Sequence, residues 1–241
     1  MAGYSRNYKK DKKDNIYPID IRCFDWYLYS QVSYFKVFER SSHMNIGTLV
    51  TKEAPDFTAE AVLPDNSFGE ITLSKYRGKY VILFFYPLDF TFVCPSEILA
   101  FNRRLDDLRQ KNCEVIGVSV DSKYTHLAWK KTALEDGGIG DIQYPLVQDL
   151  NKAIARSYGI LFDESVALRA LFLVDPNGKV RHALINDLPF GRNVEEANRM
   201  LDAVQFYEAY GEVCPANWRQ GEEAMKPTAE GVAEYLSRHT E

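Results

Sequence analysis

The stretch from Tyr80 to Leu108 constrains this chain most. Tyr80-Val81-Ile82-Leu83-Phe84-Phe85-Tyr86 is a near-continuous apolar run, the pattern of a strand buried on both faces. Pro87 ends it, because proline has no N–H to give a sheet ladder. A short loop follows, and Ile98, Phe101, Leu105 and Leu108 then recur at helical spacing. A buried strand that leads through a short loop into an amphipathic helix belongs to an α/β domain. Cys94 stands at the start of that helix. Helix N-termini carry unpaired N–H groups and partial positive charge, and both favour a thiolate over a thiol. The thiolate is the nucleophilic form, so Cys94 is a candidate nucleophile. The alternative is one more small buried hydrophobe, the usual fate of a cysteine.

The pattern continues on both sides of this unit. Residues 57–62 and 70–73 are short strand candidates, and 114–120 read as a second buried strand. Residues 124–134 read as a helix ended by Gly137-Gly138, and 151–158 as a short helix stopped by Gly159. Residues 167–174 and 179–185 are two strands joined by Pro176-Asn177-Gly178, a hairpin signal. Asn193 followed by Glu196 fits a capping box, and Val194, Ala197, Leu201 and Val204 form the apolar stripe of a long helix. Beyond Gly211 the chain is polar and broken by Pro215 and Pro227, a tail with one helix near 231–238.

Residues 1–46 differ from the rest. Lys9, Lys10, Lys12 and Lys13 cluster ahead of an aromatic stretch that includes Trp26, Tyr27, Tyr29, Tyr34 and Phe35. A secretory signal needs an apolar core of ~7–15 residues, and this segment is interrupted too often. Asp11, Asp14, Asp20 and Asp25 count against a mitochondrial transit peptide, which is poor in acids. We therefore divide the chain into an extension (1–46), an α/β domain (47–210) and a tail (211–241).

Composition removes several function classes. The net charge of −5 is mild, with acids and bases interspersed, and does not look like a nucleic-acid footprint, which needs a basic patch or stripe. No run approaches the ~18 apolar residues of a membrane-spanning helix. Cys23, Cys94, Cys113 and Cys214 lie far apart and form no C-x-x-C. That argues against a disulfide-dense scaffold, a zinc ribbon and a dithiol oxidoreductase. Sparse cysteines suit a reducing compartment. A cytoplasmic location is expected, or an organellar one if the extension is a targeting segment. His43, His126, His182 and His239 show no metal-ligand spacing, so neither a metal nor a cofactor is expected.

Two segments bring a family into view. Pro87-Leu88-Asp89-Phe90-Thr91-Phe92-Val93-Cys94-Pro95-Ser96-Glu97 closely resembles the active-site motif of the peroxiredoxins. Gly211-Glu212-Val213-Cys214-Pro215-Ala216-Asn217-Trp218 resembles the resolving-cysteine motif of their typical two-cysteine subgroup. The likeness runs from about residue 50 to residue 239. It implies a thioredoxin-like α/β fold, with a central mixed sheet flanked by helices and a C-terminal tail. It implies a thiol-dependent peroxidase that reduces hydrogen peroxide and small organic hydroperoxides and is recycled by thioredoxin or a similar dithiol protein. A homodimer that assembles to a decamer is expected on the same ground.

The resemblance also implies roles. Cys94 would be the peroxidatic nucleophile, and Cys214 would resolve its sulfenic acid by an intersubunit disulfide. Thr91 and Arg169 would stabilise charge moving along the O–O axis. Pro87 would shield the thiolate, Glu97 would orient the arginine, and Trp129 would lie near the site. Read as bare residues, these positions have plainer alternatives. Thr91 is a helix cap, Pro87 a strand terminator, Glu97 a favourable first-turn acid, Trp129 core, and Cys214 an unpaired surface thiol. Arg169 lies inside the apolar run Ala167-Leu168-Arg169-Ala170-Leu171-Phe172 and must find a partner or a ligand, since burying a lone charge is costly. Cys113 opens a buried strand and reads as structural.

The chain departs from the family in one respect. Members sensitive to overoxidation carry a Gly-Gly-Leu-Gly loop and a Tyr-Phe pair in the last helix. Gly137-Gly138-Ile139-Gly140 is close to the first, but Tyr235-Leu236 stands at the second. Losing the ring weakens a tail helix packed over the site, so greater resistance to excess peroxide is expected. A second function from another class is a chaperone-like or redox-signalling oligomer. Keeping Thr91, Cys94, Arg169 and Cys214 together favours the enzyme, because a holdase needs none of them.

Overall fold

The computed structural model describes residues 47–239. The expected extension, with Cys23 inside it, lies outside the described residues.

One mixed sheet organises the domain. Its strands are β1 (Thr58–Val62), β2 (Phe68–Thr72), β3 (Tyr80–Phe85), β4 (Cys113–Ser119), β5 (Leu146–Gln148), β8 (Arg169–Val174) and β9 (Val180–Asn186). The order across it is β2-β1-β5-β4-β3-β8-β9. Strands β3, β4 and β5 are parallel neighbours, whereas β8 joins β3, and β9 joins β8, antiparallel. A separate ribbon pairs β6 (Leu161–Phe162) with β7 (Val166–Ala167). The helices are α1 (Cys94–Gln110), α2 (Lys123–Lys131), α3 (Ala153–Ser157), α4 (Val194–Tyr210) and α5 (Ala229–His239).

Every residue of β3 is buried, and its side chains alternate between two cores. Ile82 and Phe84 pack with Ile98, Phe101, Leu105 and Leu108 of α1 and Leu201 of α4. Val81, Leu83 and Phe85 pack on the other face with Ile116, Val118, Tyr158 and Phe172. Phe84 and Phe101 stack with centroids 4.6 Å apart, pinning the first half of α1 to the strand that precedes it. Each such side chain contributes roughly 1.5–3 kcal/mol on burial. The position of Cys94 is therefore set by two apolar surfaces, one on β3 and one on α1.

Several elements differ from the sequence reading in their ends. The second strand is Phe68–Thr72, and Leu73 already opens a 3-10 turn through Tyr76. The helix expected over 124–134 stops at Lys131, and a separate 3-10 turn, Leu134–Asp136, precedes the left-handed Gly137. A Cβ on Gly138 would lie 2.0 Å from the Thr132 carbonyl oxygen, so this backbone approach admits only glycine. Strand β5 has no counterpart in the sequence reading. The run 167–174 divides, because Leu168 separates the ribbon strand β7 from β8. Asn193 caps α4 by accepting from the Glu195 N–H, but Glu196 does not complete a capping box. Its carboxylate faces Arg199 instead, at 2.6 Å from Nε. The tail helix is Ala229–His239, slightly longer than expected.

Candidate active site

Cys94 is the first residue of α1 and has no exposed surface. The helix has no side-chain cap: Val93 stands at the N-cap, and Pro95 sits in the first turn, where a missing N–H is harmless. Thr91 is therefore not the cap that its residue type suggested. Its hydroxyl lies 2.9 Å from Cys94 Sγ and 2.8 Å from the Leu88 carbonyl. With one proton, it donates to one of these partners and accepts from the thiol or from an incoming oxygen.

Arg169 reaches the same sulfur from β8. Its Nη1 is 3.3 Å from Cys94 Sγ and donates to Glu97 Oε2 at 2.7 Å, while its Nε donates to the Leu188 carbonyl at 2.6 Å. The strand places the guanidinium here because β8 pairs with β3, the strand that feeds the cysteine loop. Glu97 lies one turn into α1 and is 3% exposed, as is Arg169. Burial pushes the Glu97 carboxyl up. Its hydrogen bonds from Arg192 and the charges of Arg192 and Arg169 outweigh that and hold it below the ordinary glutamate range. Pro87 is buried in the turn directly after β3.

Arg192 escaped the sequence reading. It follows Phe190-Gly191 in a polar connection, and no periodicity marks it. It is buried all the same, with its backbone N–H and Nε on Glu97 Oε1 at 2.8 and 2.7 Å. Its Nη1 donates to the carbonyls of Phe85 and Ala170, at the ends of the strands that carry the site. Glu97 is thus clamped between two arginines, and only Arg169 touches the sulfur. A planar fork held by fixed acceptors keeps its remaining N–H aimed at one point.

Trp129 is fully buried and donates its indole N–H to the Gly137 carbonyl at 2.8 Å. Its ring packs on Phe90 and Tyr86 at 5.6 and 6.2 Å, so it supports the cysteine loop and belongs to the core as well. Cys113 is buried at the start of β4, and desolvation pushes its thiol up to about 12. Cys214 lies in the tail after α4, with Sγ 3.7 Å from the Ala203 carbonyl. Burial pushes its thiol up, and the charge of Arg199 opposes this. Arg199 also holds the Trp218 carbonyl at 2.8 Å, tying the Cys214 segment to α4. Cys94, Cys113 and Cys214 are all free thiols. Cys94 Sγ faces Thr91 and Arg169, whereas Cys214 Sγ faces the Ala203 carbonyl. In α5, Tyr235 stacks on His239 with centroids 4.1 Å apart, and Leu236 is 47% exposed.

A buried sulfur at a helix start, with a hydroxyl and a guanidinium against it, is built for nucleophilic attack on a small polar electrophile. Sequence comparison agrees. The AhpC/TSA family profile matches residues 50–183, and a profile described as the C-terminal domain of 1-Cys peroxiredoxin matches residues 203–238. The chain belongs to the AhpC/TSA family of peroxiredoxins. Alkyl hydroperoxide reductase C of Helicobacter pylori strain J99 is 57% identical over 194 residues, which cover 80% of this chain and 98% of that protein. Mouse peroxiredoxin-2 is 52% identical, with 79% and 96% covered. Among solved structures, the reduced 2-Cys peroxiredoxin of Plasmodium vivax superposes with a TM-score of 0.78 at 59% identity, covering 79% of this chain and all of that one. The fold is that of the two-cysteine peroxiredoxins, a thioredoxin-like mixed sheet flanked by helices, and the activity class is a thiol-dependent peroxidase.

Proposed function

We propose that Cys94 is the peroxidatic nucleophile and Cys214 the resolving cysteine, with Thr91 and Arg169 as the groups that stabilise the reacting oxygens. The Cys94 thiolate attacks the nearer oxygen of a hydroperoxide, the O–O bond breaks, and the departing alkoxide or hydroxide takes a proton to leave as alcohol or water. The product is a sulfenic acid. The observation that carries this reading is a hydroxyl and a guanidinium converging on one buried sulfur, Thr91 Oγ1 at 2.9 Å and Arg169 Nη1 at 3.3 Å. Donors fixed where charge develops need no reorganisation during the reaction. Glu97 and Arg192 hold Arg169 in place, and Pro87 closes the pocket on the β3 side.

The thiol of Cys214 then attacks the Cys94 sulfenic sulfur. Water leaves, and a Cys94–Cys214 disulfide joins two subunits. Thioredoxin or a similar dithiol reduces that bond by exchange and becomes oxidised in turn. Pairing with a second copy, and with it a homodimer that builds a decamer, is supported by the likeness to the two-cysteine peroxiredoxins. Residues 1–46 are an extension without a part in the chemistry, and residues 211–241 are the tail that carries the resolving thiol. The sparse cysteines and the reducing partner support a cytoplasmic location, or an organellar one if the extension is a targeting segment. The experiment is mild peroxide treatment followed by a non-reducing gel and mass spectrometry of the digest. The expected product is a dimer linked Cys94 to Cys214. An intrachain link, or one between Cys94 and Cys113, contradicts the pairing.

A further inference from the structure

The loop between β3 and α1 is held shut by a buried polar cluster that the peroxidase chemistry leaves unused. Asp89 lies in its middle, two residues before Thr91. An acid in a short loop is ordinarily solvated, yet Asp89 is buried beneath its own loop. Tyr86 donates its hydroxyl to Asp89 Oδ1 at 2.8 Å, and His126 Nδ1 from α2 meets Oδ2 at 2.7 Å. The Asp89 N–H donates to Asp121 Oδ2 at 2.9 Å, and that oxygen also takes the Ser119 hydroxyl at 2.7 Å. His126 is anchored at its far side by the Val147 carbonyl, 3.3 Å from Nε2. The cluster therefore ties the loop to α2 and to the ends of β4 and β5. Burial pushes the Asp89 carboxyl up, against the opposing hydrogen bond and charge of His126.

The next residue is strained. Phe90 has φ of 53°, a left-handed conformation that a bulky L residue rarely adopts. Its ring packs on Trp129, but half of it is exposed. Such conformations persist only where surrounding contacts over-determine them. Asp89 supplies those contacts on one side, and Cys94 with its two donors lies on the other.

Resting on the peroxidase reading above, we propose that Asp89 is a positioning residue, the latch that sets how long the Cys94 sulfenic acid stays in its pocket. The sulfur has no exposed surface, so the thiol of Cys214 reaches it only when the loop opens. Opening must break the Asp89 contacts, and it relieves the strain at Phe90. While the loop stays shut, a second hydroperoxide competes: the sulfenate attacks its nearer oxygen, giving the sulfinate and alcohol or water. The latch thereby divides Cys94 between disulfide and sulfinic acid. Tyr86, His126 and Asp121 are the partners through which it acts.

The test is stopped-flow tryptophan fluorescence after mixing with hydrogen peroxide, on the full chain and its Tyr86→Phe and Asp89→Asn variants. The first phase reads sulfenic acid formation and the second disulfide formation. Tyr86→Phe removes one hydroxyl without changing shape, so it keeps the test sound if Asp89→Asn folds poorly. The expected result is a second phase faster by about fivefold, roughly what one buried hydrogen bond is worth, with the first phase little changed. The peroxide concentration that leaves half of Cys94 as sulfinic acid should rise by a similar factor. Two phases that slow together with a falling Tm reduce the cluster to a structural role and overturn the latch, as does an unchanged or slower second phase. If the unmodified protein shows no peroxide-dependent phase, the peroxidase reading itself fails and takes the latch with it.

Discussion

Replacing Arg169 with alanine separates chemistry from architecture. The guanidinium touches three things: Cys94 Sγ at 3.3 Å, Glu97 Oε2 at 2.7 Å and the Leu188 carbonyl at 2.6 Å. The truncation leaves the Glu97 carboxylate buried with one arginine instead of two. Breaking a buried ion pair outright costs about 3–5 kcal/mol. Arg192 still holds Oε1 by two hydrogen bonds, so the loss should sit at or below the lower end of that range. A domain with roughly 5–15 kcal/mol of stability survives this with a lowered Tm. The kinetic effect is separate. Losing a charge-assisted donor aimed at the reacting atoms costs roughly 2.7–4 kcal/mol at the transition state, or about 10²–10³ in rate. The assay compares the stopped-flow rate with hydrogen peroxide against the rate of alkylation by iodoacetamide, at a temperature where circular dichroism shows the variant folded. Peroxide attack should fall by about 10²–10³ and alkylation by much less, because only the first reaction breaks an O–O bond. A fall below tenfold with peroxide, or an equal fall for both reagents, would refute the assignment of Arg169 to the oxygens.

Other expectations follow from the same contacts. Glu97 has a depressed folded-state carboxyl, so its contribution to stability is present above its ordinary value of 4.5 and lost as pH falls through the folded-state value. Urea midpoints should therefore drop between neutral and acid pH, and less so in Glu97→Gln; an equal drop in both proteins removes Glu97 as a source. Cys113, raised from 9.0 to about 12 by burial, should hold about a thousandfold less thiolate at pH 8 than a free thiol. Mass spectrometry after brief native alkylation should find it unmodified, and rapid labelling would show that its burial is not maintained. The folded-state thiol also contributes stability that is full below 9.0 and fades as pH rises toward 12. Leu236→Phe should lower the peroxide concentration that overoxidises half of Cys94, by up to about fivefold for ~1 kcal/mol of added burial; an unchanged or higher value rejects that role for the tail helix.

Much of the architecture was legible because it obeys simple periodicities. The run from Tyr80 has the pattern of a strand buried on both faces, and Ile98, Phe101, Leu105 and Leu108 have the spacing of one helix face. Together they fix where Cys94 sits. Arg169 announced itself by charge in an apolar strand. The misses have physical causes. Strand β5 is three residues long, too short for any period to show. The stretch after Lys131 is a tight turn in which Gly138 closes on the Thr132 carbonyl, and no periodicity marks it. Glu196 had two partners within reach, and Arg199 won over the cap. Arg192 and Asp89 sit in irregular segments, where burial depends on what folds over them. Both became visible only as partners of Glu97 and of Tyr86 and His126.

Peroxide consumption driven by a thioredoxin system tests the central claim most directly, with the unmodified protein beside Cys94→Ser and Cys214→Ser. Serine's hydroxyl is not ionised near neutral pH, so Cys94→Ser should consume no peroxide above background. Cys214→Ser should consume about one equivalent per chain, and at most about two as its unresolved sulfenic acid is oxidised to the sulfinate, and then stop. Sustained turnover by Cys94→Ser would contradict the account.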